Sequence, residues 1–381
     1  MKPSICIVAQ NAYGALRNSL NGHIGGVEVQ TAALAKWLSA KGYRISFVTW
    51  NDGGPPDERL GSIDVLKMCT ADAGVPGLRF LHPRLTSFVA SLARSNADVY
   101  YHNCAESYTG IIAAWCAAKG RAFVYSTASD ADCRRERPSW QTRHEWLLYR
   151  FGLRRADVVV AQTKAQLRLL ETESGIIATH VPMPCALAGP APGSADAVRK
   201  RSPNTGVVAW VGRIDPRKRL EYLFDIARRM PATKFRVVAP ASAGSEYAVA
   251  LESQARSIPN IEWLGKVSRD GMSAIYREAN CLCCTSLHEG FPNTFLEAWS
   301  HGTPIVSSFD PDDLIADRHL GVRATTVSDF VGGINLLADS TPEWQTRSEN
   351  AVRYYREHHS PEIALPRLEA ALLSAWARVT R

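Results

Sequence analysis

Short runs of apolar, often β-branched residues alternate along the chain with longer stretches in which apolar residues recur at helical spacing. In the first half the strand-like runs are Ile5–Val8, Ile45–Thr49, Val99–Tyr101, Ala122–Tyr125 and Val158–Gln162. Between the first two runs, Val27–Leu38 has the pattern of an amphipathic helix. Such alternation is typical of a parallel sheet with crossover helices, so the first half is predicted to be an α/β unit.

A polar segment rich in Pro, Gly and Ala, Ala186–Gly206, interrupts this alternation and is the predicted linker. Beyond it, further strands and helices are expected at Val207–Val211, Leu220–Arg229, Phe235–Val238, Ala248–Ser257, Ile261–Leu264 and Met272–Glu278. The last stretch, Pro361–Arg381, is predicted to be a helix with a leucine side. We therefore expect two doubly wound domains, 1–190 and 191–360, and a terminal helix, 361–381, that packs back on the N-terminal domain.

Composition excludes few of the possible functions. The 381 residues are 46% hydrophobic, enough for two cores, and the formal charge of +7 suits phosphates, lipid headgroups or nucleic acid. Nine scattered cysteines lack zinc-site spacing, so reduced structural thiols are expected. The apolar run near the N-terminus is too short for a signal peptide, and no run reaches the roughly 18 residues of a membrane helix. We expect a cytoplasmic protein, with peripheral membrane contact left open.

The first candidate motif is VAWVGRIDPRKRLEYL, in which a strand ends at Gly212 and a helix begins after two cations. Gly212 allows close approach of the backbone to a ligand, Arg213 can chelate phosphate oxygens and Lys218 adds a point charge. A solvated basic loop is the alternative. A second strand end, IEWLGKV, carries Gly265 and Val267, where a simple turn is at least as plausible.

The most informative motif is LHEGFPNTFLEAWSHG, between the apolar runs CLCCTS and PIVSS. Pro292 and Asn293 are suited to begin a helix and Gly302 to end it. Glu289 would precede this helix and Glu297 would lie in its first turns. The amides from Gly290 through Phe291 to Thr294 would then offer a diphosphate site beside two carboxylates that can hold hydroxyls. For Glu289, a carboxylate that only complements the helix dipole is the alternative.

These motifs, in this order and spacing, resemble the retaining glycosyltransferases of family four, which have the GT-B fold: two Rossmann-like domains facing each other across a cleft. The resemblance covers most of the chain and is clearest from Val207 to Ser308. It implies that Arg213 and Lys218 bind the donor diphosphate, that Glu297 holds the ribose and that Glu289 contacts the donor sugar. It also implies that the residues from Gly265 to Val267 lie near the base.

The N-terminal half resembles the family less completely. Gly25 and Gly26 precede a predicted helix as in the family's GG-x-E start, where the glycine amides face the donor phosphates, although a helix-entry turn is the alternative. Relatives carry a His after the strand that here is AFVYS, and this chain has Ser129 and Asp130 instead. Asp130 is the candidate replacement or a turn former. His102, at an earlier strand end, is another acceptor-side candidate or a structural His.

Arginines and aromatic residues are mixed in the segment CRRERPSWQTRHEWLLYRFGLRR. Such a mixture suits a membrane headgroup interface or a phosphorylated acceptor. The alternative, which is the commoner origin of this pattern in soluble helices, is a solvated helix with its aromatic residues packed inward.

The resemblance implies transfer of a sugar from a nucleoside diphosphate sugar to a hydroxyl acceptor with retention, and a lipid-linked oligosaccharide is one expected acceptor. Both UDP-sugars and GDP-mannose remain open as donors. We expect no cofactor and no nucleic-acid partner. We also expect no metal, because the motifs contain no DxD-like ligand set. The alternatives are a nucleotide-sugar epimerase or phosphorylase-like enzyme, and a catalytically silent subunit that keeps the sugar-nucleotide site.

Overall fold

The computed structural model describes residues 2–17, 25–185, 206–240 and 245–380. These residues form two compact units. The N-terminal unit contains the described residues up to 185 together with those from Pro361 onward, and the C-terminal unit contains those from 206 to Ser360. The predicted linker, including the 190/191 boundary, lies outside the described residues except for Gly206.

The N-terminal unit is built on a sheet of strands β1 to β8, which are Ile5–Val8, Ile45–Thr49, Asp57–Leu60, Ile63–Lys67, Val99–Asn103, Ala122–Ser126, Val158–Ala161 and Thr179–His180. Its helices α1 to α7 are Tyr13–Leu16, Gly26–Ala40, Thr86–Ser95, Ser107–Lys119, Asp130–Cys133, Arg143–Arg155 and Lys164–Ser174, with a π-helical turn at Phe80–Leu85.

In the C-terminal unit, strands β9 to β14 are Val207–Val211, Lys234–Val238, Ile261–Trp263, Cys281–Cys284, Ile305–Ser307 and Gly321–Arg323. Helices α8 to α14 are Leu220–Arg229, Glu246–Arg256, Arg269–Glu278, Asn293–Ser300, Leu314–Asp317, Val327–Asp339 and Thr341–His358, with single 3₁₀ turns at Pro216–Lys218 and Pro311–Asp313. The last helix, α15 (Pro361–Val379), returns to the N-terminal unit.

Within the described residues, the N-terminal sheet has the strand order β3-β4-β2-β1-β5-β6-β7-β8, and only the β3–β4 pair is antiparallel. Side chains of a strand alternate between its two faces. In β1, Ile5 and Ile7 accordingly join the core under α2 and α15, whereas Cys6 and Val8 join the core under α3, α4 and α6. Both faces of the sheet are therefore covered by helices, as in a doubly wound domain.

The sheet of the C-terminal unit has the order β11-β10-β9-β12-β13-β14, and every pair is parallel. Helices α8, α9 and α13 pack against one face, through Phe224, Leu251 and Phe330 among others. The predicted α/β fold with two Rossmann-like domains is confirmed. The β3–β4 hairpin was not predicted, because the alternating pattern of Asp57–Leu60 is short and largely polar.

Candidate functional site

The sheet of the C-terminal unit contains a topological switch point between β9 and β12. From β9 the chain passes to β10 and β11 on one side, and then crosses to β12, β13 and β14 on the other. In open parallel sheets, ligands bind beyond the carboxyl ends of the strands at such a point. The loops after β9 (residues 212–219) and after β12 (residues 285–292) flank it, and they contain most of the candidates from the C-terminal motifs.

Hydrogen bonds tie these two loops together. The Leu287 amide donates to the Arg217 carbonyl (3.0 Å), and the Thr285 hydroxyl donates to the Lys218 carbonyl (2.6 Å). Arg219, which has a left-handed backbone, donates from Nε to the Thr285 carbonyl (2.8 Å). Thr285 is completely buried. The apolar run CLCCTS was expected to be strand throughout, but the strand ends at Cys284, and Thr285 instead binds the Lys218 carbonyl and the Arg219 side chain.

Lys218 and Glu289 lie on opposite loops and form an ion pair. The ammonium group of Lys218 donates directly to Oε1 of Glu289, and both side chains are mostly buried, at 27% and 14% exposure. Glu289 therefore has a cation as its partner and does not cap the following helix. The pair holds a positive and a negative group at the switch point, where one suits a phosphate and the other suits sugar hydroxyls.

Helix α11 begins next to this pair. Its N-cap residue is Pro292, which provides no side-chain cap, and Asn293 is the first helical residue. Gly302, with φ of 69°, follows the C-terminus as expected. The Phe291 side chain is buried and packs against His359, with ring centroids 4.8 Å apart. Phe291 thus anchors the loop through its side chain, which leaves its backbone as the part suited to contact a ligand.

Glu297 lies on α11 and is held by a residue that the sequence did not single out. The hydroxyl of Tyr276, on α10, donates to Oε2 of Glu297 (2.6 Å), and the Tyr276 side chain is fully buried. The His301 ring stacks on Tyr276 at 5.8 Å, and its Nδ1 lies 2.8 Å from the Glu297 carbonyl oxygen. Burial lowers the pKa of His301. Tyr276 and His301 therefore fix the position of Glu297 from both its side chain and its backbone.

The basic residues of the loop after β9 differ in their surroundings. Arg217 donates to Asp215 through Nε (2.9 Å) and Nη2 (2.7 Å). This chelation, opposed by partial burial and supported by the Arg217 amide and Arg213, lowers the pKa of Asp215 to about 2. Arg213 is exposed on the same loop, directly after Gly212. Arg217 is thus engaged by a carboxylate of its own loop, whereas Lys218 is directed to Glu289.

Other C-terminal candidates lie at the same edge of the sheet or at the helix start. Gly265 follows β11, which is separated from β9 by β10, and its φ of 62° favours glycine. Val267 lies in the same loop, before α10. Gly290 precedes the helix start, and Thr294 is the second residue of α11. The proximity of Gly265 and Val267 to a base is a prediction that the fold leaves untested.

In the N-terminal unit, Gly25 and Gly26 begin α2. Gly25 is its N-cap residue, and a Cβ atom built on Gly25 would lie only 2.4 Å from Oε2 of Glu28. The glycine therefore lets the Glu28 side chain fold back over the helix start. This geometry explains a helix-entry role and leaves donor binding by these amides as a prediction.

The acidic turn after β6 is held by Asp132. Its Oδ2 accepts hydrogen bonds from the amides of Ala128 (2.7 Å) and Ser129 (3.1 Å), and its Oδ1 accepts one from the Ser129 hydroxyl (2.8 Å). Asp132 is buried, and this burial, opposed by its hydrogen bonds, raises its pKa. Ser129 is thus engaged in a capping box, and Asp130, the first residue of α5, is the partly exposed carboxylate of the turn.

His102 is buried at 1% exposure, with Nδ1 3.0 Å from the Val8 carbonyl oxygen. Burial lowers its pKa to about 4, so the ring is neutral at pH 7. Nearby in the chain, Glu106 is the N-cap residue of α4. Burial, with the negative charge of Glu28 as the next cause, raises the pKa of Glu106 to about 7. Neither the turn acid Asp132 nor Glu106 carried a sequence signal that separates it from an ordinary capping residue.

All nine cysteines are free thiols in the structure. Over the described ranges, no group of three or more His, Cys, Asp or Glu side chains has the arrangement of a metal site. None of the helices described combines the length and apolar character needed to cross a bilayer.

Both units match models of known protein families. A family model described as "Glycosyl transferase 4-like domain" matches residues 25–186, and the model "Glycosyl transferases group 1" matches residues 205–339. A curated relative, D-inositol 3-phosphate glycosyltransferase of Mycolicibacterium smegmatis, is 27% identical over 202 residues. That match covers 49% of this chain and 44% of the relative.

Solved structures resemble the whole chain. Sucrose-phosphate synthase from Thermosynechococcus elongatus superposes with a TM-score of 0.79 and 17% identity, covering 99% of this chain and 100% of the other. The catalytic domain of starch synthase IV from Arabidopsis thaliana, bound to ADP and acarbose, gives a TM-score of 0.70 at 12% identity, covering 99% and 100%. At such identities the likeness establishes the fold, which is GT-B.

Proposed function

Because the chain belongs to the group 1 glycosyltransferases and has their GT-B fold, we propose that it transfers a sugar from a UDP- or GDP-sugar to a hydroxyl acceptor with retention. The observation that carries this proposal is the Lys218–Glu289 pair. It places a cation and a carboxylate at the switch point, beside a helix that begins without a side-chain cap. Those are the groups that a sugar diphosphate requires.

In this proposal the donor separates the pair. The Lys218 ammonium turns from Glu289 to the phosphate that becomes the leaving group, and Arg213 adds a second cation. Glu289 is then released to accept hydrogen bonds from the donor sugar. The amides at the start of α11 stabilise the negative charge that grows as the glycosidic bond breaks, which is electrostatic preorganisation. Glu297, held by Tyr276, accepts hydrogen bonds from the ribose.

Retention in this scheme needs no carboxylate nucleophile. The acceptor hydroxyl attacks on the face from which the diphosphate leaves, and the departing phosphate oxygen takes the hydroxyl proton. Glu289 and Glu297 are binding groups here, unlike the paired carboxylates of retaining glycosidases. The cations and amides offset the charge of the diphosphate, so the proposed reaction needs no divalent metal. We expect transfer to persist in EDTA.

The acceptor is proposed to be a sugar or polyol hydroxyl on a lipid-linked molecule. The net charge of +7 and the arginine-rich segment before and along α6 support an anionic surface as the place of reaction. A phosphorylated polyol is the other acceptor supported, because the curated relative is named for inositol 3-phosphate.

A transfer assay with UDP- and GDP-sugars tests the proposal. Wild-type protein should form a product whose new glycosidic bond has the anomeric configuration of the donor, as determined by NMR. Glu297→Ala should reduce the rate and raise the donor KM. An equal, low rate for both proteins would overturn the enzyme assignment. Free epimerised sugar nucleotide, or sugar 1-phosphate formed with inorganic phosphate, would replace transfer by another reaction.

A catalytically silent sugar-nucleotide subunit is the second candidate. It is favoured by the turn after β6, where Ser129 is engaged in a capping box and the family's usual His is absent. Such a subunit would bind nucleoside diphosphates through Lys218 but would neither transfer nor hydrolyse the donor. Binding without turnover across the donor set therefore distinguishes it from the transferase.

A further inference from the structure

Helix α6 has an inner face that is fixed tightly against α4. A Cβ atom on Gly110 would lie 2.3 Å from the Leu148 carbonyl oxygen, and one on Gly152 would lie 2.5 Å from backbone atoms of Thr109. Two glycines therefore allow the helix backbones to touch. Trp146 is buried on this side. The rotation of α6 is fixed by this contact, and so is the set of residues that it presents to solvent.

The solvent-exposed face of α6 carries two large apolar side chains among its polar residues. Leu147 is 69% exposed and Phe151, one turn further along, is 41% exposed. Trp140, shortly before the helix, is 62% exposed. A single exposed apolar residue is common on protein surfaces, but three large ones close together in the chain are not. Their clustering before and along one helix indicates a surface that contacts another apolar phase.

Arginines surround these apolar residues. Arg143 lies one turn before Leu147, and Arg154 and Arg155 end the helix, with the Arg155 guanidinium 5.5 Å from the centre of the Phe151 ring. All three arginines are exposed, and within the described part of the chain none of them forms an ion pair. Arg134, in contrast, is paired with Glu173. The cations around the apolar residues are therefore available for an anionic partner.

The acidic residues of the same stretch, Glu136 and Glu145, are fewer than its arginines. Glu145, in the first turn of α6, accepts hydrogen bonds from the amide (2.9 Å) and hydroxyl (2.7 Å) of Thr142. Its carboxylate is thus used to cap the helix. Glu136 is exposed between Arg135 and Arg137, which are exposed as well. The surface combines exposed apolar side chains with an excess of positive charge.

We propose that this surface docks the protein on an anionic lipid bilayer. We name it the α6 patch, and it consists of Trp140, Arg143, Leu147, Phe151, Arg154 and Arg155. Apolar side chains can enter the headgroup region while the arginines contact lipid phosphates, which is how interfacial helices bind. A nucleic acid would use the arginines but would leave Leu147 and Phe151 exposed to water. A bilayer is the partner that contacts both the apolar residues and the arginines of the patch.

This inference deepens the proposed function, because a membrane location rests on the proposed lipid-linked acceptor. Its test needs no turnover. The full chain is sedimented with vesicles of phosphatidylcholine alone and of phosphatidylcholine mixed with phosphatidylglycerol, and melting temperatures confirm that each variant is folded. The variants are Leu147→Ser with Phe151→Ser, and Arg143→Gln with Arg154→Gln and Arg155→Gln. Val249→Ser, an exposed apolar residue of α9, is the matched control.

Wild-type and Val249→Ser protein should bind the anionic vesicles. The arginine variant should bind on the order of a hundredfold more weakly and should lose its salt dependence. The apolar variant should bind at least about tenfold more weakly. Unchanged binding by both variants, absence of wild-type binding, or binding to duplex DNA without vesicle binding would overturn the proposal. Transfer to a water-soluble acceptor should proceed at the same rate in all variants. If wild type binds the vesicles but transfers no sugar, only the proposed function is contradicted.

Discussion

The two units resemble each other in architecture and differ in how their candidate residues are used. In the C-terminal unit, Lys218 and Glu289 meet directly at the switch point. In the N-terminal unit, Ser129 is engaged in a helix cap and His102 is buried beside a backbone carbonyl. One unit pairs its candidates with each other, and the other unit engages two of its candidates in its own backbone.

On the proposed function, this difference separates residues that bind the donor from residues that maintain the fold. The Lys218–Glu289 contact joins two loops, and both side chains keep some exposure, so a ligand that replaces the contact is part of that proposal. The Asp132 contacts are local and partly buried, so their loss would destabilise the start of a helix. We therefore expect substitutions in the first group to affect turnover and substitutions in the second to affect stability.

The largest effect is expected for Lys218→Ala. Loss of a cation that stabilises the departing diphosphate should reduce kcat/KM by roughly a hundredfold to a thousandfold. Arg217→Ala is the matched control, because Arg217 lies in the same loop but is engaged by Asp215. The control should retain most of the activity. Equal losses in a transfer assay would mean that the loop, and not the Lys218 charge, is what matters.

Asp132→Ala should lower the free energy of unfolding by about 2 kcal/mol, because it leaves the partly buried amides of Ala128 and Ser129 without their acceptor. Asp130→Ala, in the same turn, should cost less than about 1 kcal/mol. If Asp130 replaces the missing family His, this variant should lose transfer while remaining stable. Denaturant unfolding combined with the transfer assay measures both. A larger stability loss for Asp130→Ala than for Asp132→Ala would mean that Asp130, and not Asp132, maintains the turn.

Glu106 should make stability depend on pH. Its folded-state pKa of about 7 lies above the ordinary 4.5, so its stabilising contribution is fully present below 4.5 and is lost as pH rises through 7. Glu106→Gln should therefore raise the free energy of unfolding by on the order of 2 kcal/mol at pH 8 and by little at pH 4.5. Thermal unfolding across this range measures the difference.

Glu145→Gln is a control for the Glu106 variant, because its stability should depend on pH in the opposite direction. Its hydrogen bonds from Thr142 lower the pKa of Glu145, so its contribution is present above the ordinary value and is lost as pH falls. The variant should be destabilised at pH 7 and should approach wild type in acid. A Glu106 variant that followed the same trend would contradict the raised pKa of Glu106.

The smallest effect is expected for Tyr276→Phe. Loss of its hydrogen bond to Glu297 should weaken nucleoside diphosphate binding roughly fivefold to tenfold, while the buried ring stays in place. The weakening should disappear with 2′,3′-dideoxynucleotides, because the proposed role of Glu297 is to hold the ribose. A loss of equal size for both ligands would mean that Tyr276 supports the site only through packing.

The fold, and the position of Lys218 and Glu289 beyond the ends of two strands, could be predicted because their signals are local. Alternating strands and helices define parallel sheets, and parallel sheets bring the carboxyl ends of β9 and β12 together. Lys218 and Glu289 each follow one of these strands. The sequence did not indicate that they would pair with each other, since that contact joins side chains 71 positions apart.

Residues whose roles depend on burial could not be predicted. Tyr276 is an ordinary apolar position of α10, and its contact with Glu297 exists only after α10 and α11 pack together. Asp130 and Asp132 lie two positions apart, and only the geometry of the capping box shows which carboxylate is buried. Glu106 likewise resembles a plain capping residue until its surroundings are folded.

On the proposed function, the C-terminal unit binds a nucleoside diphosphate through Lys218. Calorimetric titration of UDP and GDP into wild type, Lys218→Ala and Arg217→Ala measures this binding. We predict that wild type and Arg217→Ala bind at least one of the two with similar Kd, and that Lys218→Ala binds it about tenfold or more weakly. Equal affinity of wild type and Lys218→Ala, or no binding of either nucleotide, would contradict nucleotide binding through Lys218.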